Sequence, residues 1–200
     1  MTGLLELVEE VVLRFMERDF QEESVKVEVV SGGLKIFLEE SYIELMKGSE
    51  YALPRWLAYK LQEQGVCKVK DLDVTLEKLS QLVYLEESYA GKLQLSKLNG
   101  YFYTRLKRRI TELENKVKTA PDWRIYADEL KTFMEFYDSL TRERVRKIVN
   151  FLHLIDIPQE ISEKLSEEEK VLYSHLKTVF DIHRKNLSVR GGHGGPGLKG

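Results

Sequence analysis

The side chains that most often carry chemistry are sparse in this sequence of 200 residues, and their spacing does not bring them together. No two of the four histidines are separated by the three or four residues that place metal ligands on one helix face. The single cysteine, Cys67, is expected to be a small buried apolar residue. The histidines are His153, His175, His183 and His193.

Motifs of enzyme active sites are missing from the sequence as well. It contains neither a glycine-rich phosphate loop nor a nucleophile elbow, and its adjacent glutamates are typical of solvated surfaces. We therefore predict a non-enzymatic protein without catalytic residues, cofactor or metal. An enzyme with an acid and a base that meet only in space is the alternative, and no residue can be nominated for it.

The charge composition argues against one class of function, binding to nucleic acid as the main activity. The chain has 31 basic and 33 acidic residues and a formal net charge of -2. A protein built mainly to bind nucleic acid carries a large positive excess, so that class is excluded while local basic patches are left open. The N-terminal apolar residues are interrupted by glutamates and lack a basic region before them, which argues against a signal peptide or a membrane span. We expect a soluble intracellular protein.

The first fifty residues predict a small domain of one helix and short strands. Apolar residues at intervals of three and four predict an amphipathic helix that ends near Arg18. Val25 to Val30 and Leu34 to Leu38 flank two glycines and are interpreted as a hairpin, and Tyr42 to Met46 is interpreted as a third strand. We assign residues 1–52 to this domain, which is too small to be stable without a neighbour.

The stretch Leu-Pro-Arg-Trp-Leu-Ala marks the change from strands to helices. Pro54 presets φ for a first helical turn and lacks the N–H group that such a turn leaves unpaired. Trp56 and Leu57 are expected to fasten the new helix to both halves of the chain. The predicted joint consists of Leu53, Pro54, Trp56, Leu57 and Ala58.

Helical spacing continues from this joint almost to the C-terminus. Gly65 is expected to end the first helix, and Ser166 to Glu169 has the pattern of a capping box that starts the last one. The helix that begins near Leu76 is apolar over more than half of its circumference, so it is expected inside a bundle or beneath a partner subunit. The sequence predicts a mainly α, α+β protein, with a helical domain over 53–187 and a flexible glycine-rich tail over 188–200.

Arg144 is the charged residue with the most unusual predicted position. Counting 100° per residue places it within an apolar helix stripe, whereas Arg142, Arg146 and Lys147 point away from that stripe. A buried guanidinium is costly unless it is paired, so we predict an acidic partner and name Glu86 as the first candidate. A role across a subunit interface is the alternative.

Basic residues also flank the apolar stripe of the helix that begins near Phe102. They are either solvated rims or a surface for phosphates or an acidic partner. The rival hypothesis for the whole chain is therefore a helical nucleic-acid-binding protein. Its candidate contacts are Arg105, Arg108, Arg109, Arg142, Arg146 and Lys147.

Several of these motifs, in this order, resemble subunits of GINS, the complex that supports the replicative MCM helicase in archaea and eukaryotes. They are the Leu-Pro-Arg-Trp-Leu-Ala stretch, Gly65-Val-Cys-Lys-Val69, the leucine-rich helix at Leu76 to Glu86, Phe102-Tyr103, and Arg144-x-x-Lys147-Ile148. A small domain before a helical domain is similar to the Psf two and three type, which archaea represent by one shared subunit class. The resemblance covers roughly residues 20 to 185 and transfers no catalytic residue, because none belongs to the family.

The resemblance implies a DNA replication factor that acts by binding. The expected partners are the second GINS subunit type in a two-plus-two heterotetramer, the MCM helicase, and a RecJ-like or Cdc-type protein, with at most weak DNA contact and no membrane. Its implied location is the cytoplasm, associated with the nucleoid. The candidate subunit-interface residues are Leu76, Leu79, Leu82, Val83, Tyr89, Phe102 and Tyr103.

Overall fold

A computed structural model of the chain describes residues 2–38, 41–70 and 74–187. The chain divides into two compact units. The first runs up to Thr75 and takes in Thr104–Arg109, and the second consists of Leu76–Tyr103 and the chain from Ile110 onward. A small unit with strands thus precedes a helical unit, which confirms the predicted fold class. The predicted tail over 188–200 lies outside the described residues.

The described residues of the first unit up to Thr75 contain two helices and five strands. The strands form two separate antiparallel sheets. β1 is the central strand of three, and its valines at 25, 27 and 29 face the core because alternate residues of a strand share one side. The elements are α1 (Thr2–Glu22), β1 (Ser24–Val29), β2 (Leu34–Leu38), β3 (Ser41–Leu45), β4 (Glu50–Pro54), α2 (Arg55–Glu63) and β5 (Cys67–Lys70).

Strand pairing differs from the prediction. β1 pairs with β4 and β5, and β2 pairs with β3, so the predicted hairpin of the first two strands is wrong. The stretch from Cys67 to Lys70, which follows α2, is β5 of the three-stranded sheet. Alternation of apolar and polar residues identifies a strand but fits any neighbour, so it could not select the partner. α1 likewise extends past Arg18 to Glu22.

The first unit also extends beyond the boundary placed before Leu53. Leu53 is a fully buried residue of β4, and α2 packs on the same core through Ala58 and Leu61. β5 then completes the sheet, and the unit ends at Thr75. Helical periodicity shows that a segment has an apolar face, but it does not show which core receives that face.

The second unit is built around one long helix. α5 runs unbroken for 29 residues, packs along α3 and contacts α7. Its buried face includes Phe133, Leu140, Ile148 and Phe151. The helix ends at Phe151, and Ile155 beyond it is exposed. The helices are α3 (Leu76–Ser88), α4 (Phe102–Thr119), α5 (Trp123–Phe151), α6 (Gln159–Ser162) and α7 (Glu167–Leu187).

Two predicted helix ends are confirmed. Gly65 follows the end of α2 with φ at +72°, a conformation that glycine adopts without steric cost. At the start of α7 the Glu169 N–H donates to Ser166 Oγ at 3.3 Å, and the Ser166 N–H donates to Glu169 Oε2 at 3.1 Å. These reciprocal hydrogen bonds are the predicted capping box.

We predict that Gly65→Ala lowers the free energy of unfolding by about 1 kcal/mol, since a Cβ in the left-handed region meets the following carbonyl. Gly3→Ala in α1 is the matched control, because its φ is not positive and no atom lies within 4 Å of the added Cβ. The control is expected to leave stability unchanged or to raise it. Urea unfolding measures both effects. Equal losses in the two variants would contradict the assigned role of Gly65.

Candidate functional site

Arg144 occupies the centre of the second unit with no solvent exposure. Its Nε and Nη2 donate to the two carboxylate oxygens of Glu169, at 2.8 and 2.5 Å. Nη1 donates to Glu86 Oε1 at 2.8 Å and to the Ser96 carbonyl at 2.8 Å, and Nη2 also donates to the Lys164 carbonyl at 3.1 Å. These five bonds use all five N–H groups of the guanidinium. The contact with Glu86 is the pair predicted from the helical spacing.

Lys147 completes this charged cluster, which corrects its predicted position on the outer face of the helix. Its Nζ donates to Glu86 Oε2 at 2.5 Å and to the Glu86 carbonyl at 3.0 Å, and the side chain is buried. Glu86 Oε1 also accepts hydrogen bonds from the backbone and hydroxyl of Ser96. Two cations therefore face two carboxylates, Glu86 and Glu169, and the buried cluster is electrically neutral.

The surrounding hydrogen bonds and charges favour the ionised form of Glu86. Burial alone would raise the pKa of Glu86, but hydrogen bonds from Lys147 and Ser96 and the charge of Arg144 outweigh it, so this pKa lies below its usual value. Burial and the carboxylate of Glu169 raise the pKa of Tyr103. Tyr103 accordingly keeps its proton and donates it to Glu169 Oε1 at 2.8 Å. Every member has its partners inside the protein, so the cluster holds helices together and is closed to a substrate.

Three of the seven predicted interface residues are buried inside the chain. Leu79, Val83 and Phe102 are buried within the second unit, which removes them as contacts for a partner and corrects that prediction. Leu76, Leu82, Tyr89 and Tyr103 are half-buried. Packing along α5 and against the charged cluster of the same chain covers Leu79 and Val83 of α3, while Tyr84 and Leu85 are exposed.

An exposed apolar stripe lies on α5 instead. Its four members begin at Trp123 and end at Val149, and they are spaced by eleven, eleven and four residues. They therefore fall within a sector of about 80° along about 39 Å of helix. This sector lies beside the buried face of the helix and is only partly polar. Packing within the chain shows which apolar residues of α5 stay uncovered. We call this surface the α5 stripe: Trp123, Met134, Val145 and Val149, all exposed.

A family model, Sld5, described as the GINS complex protein helical bundle domain, matches residues 39–186. The chain belongs to the GINS family. It is a subunit of a DNA replication complex, in a family of non-catalytic factors that associate with other GINS subunits. No curated protein matches the chain significantly.

Two of the six residues nominated in this GINS subunit for nucleic-acid contact are buried. Lys147 is buried, and Arg105, within the first unit, is buried with its Nη2 on Glu23 Oε2 at 2.5 Å. Both nominations are corrected, because apolar stems and a carboxylate partner draw these side chains inward. Arg108 lies 4.2 Å over the ring of Tyr59, and Arg109 is half-buried. Arg142 and Arg146 are exposed, and Arg146 pairs with Glu143.

The predicted joint motif belongs to the core of the first unit. Leu53 and Ala58 are fully buried and Leu57 is half-buried, but Trp56 is 44% exposed and fastens the helix less than expected. Sequence analysis missed Arg55 at the centre of the motif. Its helical spacing to Ala58 and Leu61, three residues each, could have placed it on their buried face.

Arg55 holds α1 and α2 of the GINS subunit together. Its Nη2 donates to Glu23 Oε2 at 2.7 Å, and its Nε donates to the Phe20 carbonyl at 3.1 Å. The guanidinium carbon lies 4.0 Å from the centre of the Phe20 ring, which is within cation–π range. This small unit is therefore organised, like the helical unit, by a fully buried arginine.

The described residues of this GINS subunit contain no candidate metal cluster and no candidate membrane-spanning helix. Among the residues that the structure describes, no three His, Cys, Asp or Glu side chains lie close enough to hold a metal ion. Within the same residues, no helix is both long and apolar enough to cross a bilayer.

We predict that Arg144→Leu lowers the free energy of unfolding of the helical unit by about 3–5 kcal/mol, because Glu86 and Glu169 would be left buried without their shared cation. Arg146→Leu is the control on the same helix, since that arginine is exposed and pairs only with Glu143. It should change stability by no more than about 0.5 kcal/mol. Urea unfolding followed by circular dichroism measures both variants. Melting of Arg144→Leu like the parent would refute the role of the cluster.

Proposed function

We propose that this chain is an archaeal GINS subunit of the Psf two/three type, and that its complex scaffolds and activates the MCM helicase at the replication fork. The observation that carries the proposal is the domain order. The unit with strands precedes the helical unit, in a chain that the GINS family model matches over 39–186. In this proposal the chain has no catalytic role and needs no cofactor.

Assembly with a second GINS subunit type is the first step of this function. The α5 stripe supports it, because it presents four large apolar side chains along one helix face that the same chain leaves exposed. Permanent interfaces bury on the order of 2,000 Å² or more and are relatively apolar, so a surface of this kind favours a stable partner. We propose a heterotetramer with two copies of each subunit type, in which the α5 stripe contacts the other type.

Scaffolding is the second step, and it requires a surface of constant shape. The complex would activate the helicase by binding its active arrangement more tightly than the inactive one, since a ligand shifts an equilibrium only by such a difference. The buried cluster around Arg144 supports this role, because five directed hydrogen bonds define how α3, α5 and α7 pack. A RecJ-like or Cdc-type protein would be the further partner of this assembly.

Nucleic-acid binding as the main function is supported less well. Two of its six nominated cations, Arg105 and Lys147, are buried and paired with carboxylates. A binding site for a nucleic acid backbone would need several cations facing the solvent together. Any DNA contact by this chain would therefore be secondary to its binding of proteins.

We predict that co-expression with a GINS subunit of the second type yields a stable complex of fixed mass. Val145→Glu should weaken this complex at least about tenfold, because a carboxylate would replace an apolar contact in the α5 stripe. Asn150→Glu is the matched control, since Asn150 is exposed on another side of α5. Light scattering after co-purification gives the mass, and titration of the separated subunits gives the affinity.

Two outcomes would contradict parts of this proposal. A chain that stays monomeric in the presence of the second subunit type would refute assembly as its function. If the complex forms and Val145→Glu and Asn150→Glu bind equally well, the interface lies elsewhere on the chain. Thermal unfolding of each variant alone shows whether a lost complex reflects the interface or a loss of folding.

A further inference from the structure

The outer edge of β2 differs from the other strand edges of the first unit. At β5 the Val69 N–H donates to the Gln62 side chain at 2.8 Å, so that edge is capped. β4 ends on Pro54, which has no N–H to offer. Such devices keep edge strands from pairing with other chains. Among the described residues, β2 has neither a proline nor a side chain that caps its edge. Its five residues, Leu-Lys-Ile-Phe-Leu, favour strand pairing.

The pairing with β3 shows which backbone groups of β2 are open. The Tyr51 hydroxyl donates to the Glu44 carbonyl at 3.0 Å and accepts a hydrogen bond from the Met46 N–H at 3.1 Å. Glu44 in β3 and Met46 just after it therefore direct these backbone groups away from β2. Their neighbour Ile43 therefore faces β2 and pairs with Ile36. Backbone groups alternate in direction along a strand, so those of Lys35 and Phe37 point outward. Among the described residues they have no hydrogen-bond partner.

Two aromatic rings lie beside this open edge. Phe37 and Tyr42 face each other across the two strands, with ring centres 5.0 Å apart, and they are 60% and 74% exposed. Ile36 and Ile43 point to the opposite side and pack on the core of the unit. The aromatic pair therefore contributes little to folding, although exposing two adjacent large apolar side chains is unfavourable. Such pairs are typical of surfaces that bind a partner.

Charge adds a second element of recognition. Lys35 lies on the same side of β2 as Phe37, two residues earlier. Its Nζ is 4.0 Å from Glu44 Oε2, and both side chains remain largely exposed. This weak contact leaves Lys35 able to pair with an acidic side chain of a bound chain. An added strand would thus meet a cation and an aromatic surface at positions two residues apart.

We propose that an extended peptide segment of a partner protein binds the outer edge of β2 as an additional strand. Its backbone would bond to the N–H and C=O groups of Lys35 and Phe37. One apolar side chain would lie on the Phe37 and Tyr42 rings, and an acidic side chain two residues away would pair with Lys35. This is strand addition, in which the backbone provides affinity and alternate side chains provide specificity. The inference concerns the first unit and does not depend on the assembly of the helical unit.

Random heptapeptides displayed on phage can test this proposal with the full chain as the target. The selected peptides should share an acidic residue two positions from an aliphatic or aromatic one. Binding of one selected peptide is then measured by fluorescence anisotropy with the parent and two variants, Lys35→Thr and Lys35→Pro. Both variants lose the charge, but only proline loses the N–H, and its ring fits an edge position.

Lys35→Thr should weaken binding about twofold to fivefold, which matches the loss of an exposed ion pair. Lys35→Pro should weaken it at least about tenfold further, because a backbone hydrogen bond and the approach of the added strand are both lost. Equal binding by the two variants would overturn strand addition. Selection of peptides without the acidic and apolar pattern would overturn the proposed ligand.

Folding and self-association are checked on the same samples. Phe37→Thr keeps strand propensity and removes the ring, so it should bind the peptide weakly while melting like the parent. Sedimentation of the chain alone should show no dimer that Lys35→Pro abolishes. Such a dimer would show that β2 pairs with a second copy of this chain and would overturn the proposal of a foreign peptide.

Discussion

The guanidinium of Arg144 is the constraint on which the helical unit depends. A cation removed from water is tolerated only if each of its donors is satisfied and its charge is balanced. Two carboxylates and two backbone carbonyls meet this requirement, and they come from α3, from the connection after it, from the segment between α6 and α7, and from the first turn of α7. A shift in any of these segments would leave a buried charge unpaired. The cluster therefore selects one packing arrangement among the many that apolar side chains alone would permit.

The first unit follows the same principle on a smaller scale. Arg55 is fully buried against the ring of Phe20 and pairs with Glu23, which also binds Arg105. A small sheet and two helices have a limited apolar core, so directed polar contacts define their arrangement more sharply than apolar contacts would. Both arginines sit where a hydrophobic residue would satisfy the helical pattern. Their use suggests selection for a defined shape, which a protein that works by binding requires.

The exposed surface of the chain agrees with such a role. Two groups of its exposed large apolar side chains are the α5 stripe and the pair of Phe37 and Tyr42 on the outer face of β2 and β3. Grouped apolar surface is costly for a monomer and is usually retained for contact with other molecules. The charged cluster, in contrast, is closed to solvent, and its hydrogen bonds join helices of the same unit. Membership of the GINS family, whose model covers most of the helical unit, gives these surfaces a context in which subunits associate with one another.

Local rules account for what the sequence by itself determined. Helical periodicity placed Arg144 on a buried face and named Glu86 as its partner, and cap chemistry identified Gly65 and the pair of Ser166 and Glu169. The caps depend on residues a few positions apart and the burial of Arg144 depends on the phase of one helix, both of which the sequence contains directly. Glu86 was chosen because its helix has a wide apolar surface. The order of motifs also indicated the family.

Contacts between distant segments were decided only by the tertiary structure. It paired β1 with β4 and β5, turned Lys147 inward to Glu86, and left the α5 stripe exposed while Leu79 and Val83 of α3 were buried. Periodicity shows that a face is apolar, but whether the same chain or a partner covers that face depends on the packing of elements far apart in sequence. The direction in which cations near an apolar stripe point was also decided only by the tertiary structure. Their long stems reach either solvent or a buried carboxylate, and only the position of that carboxylate decides between the two.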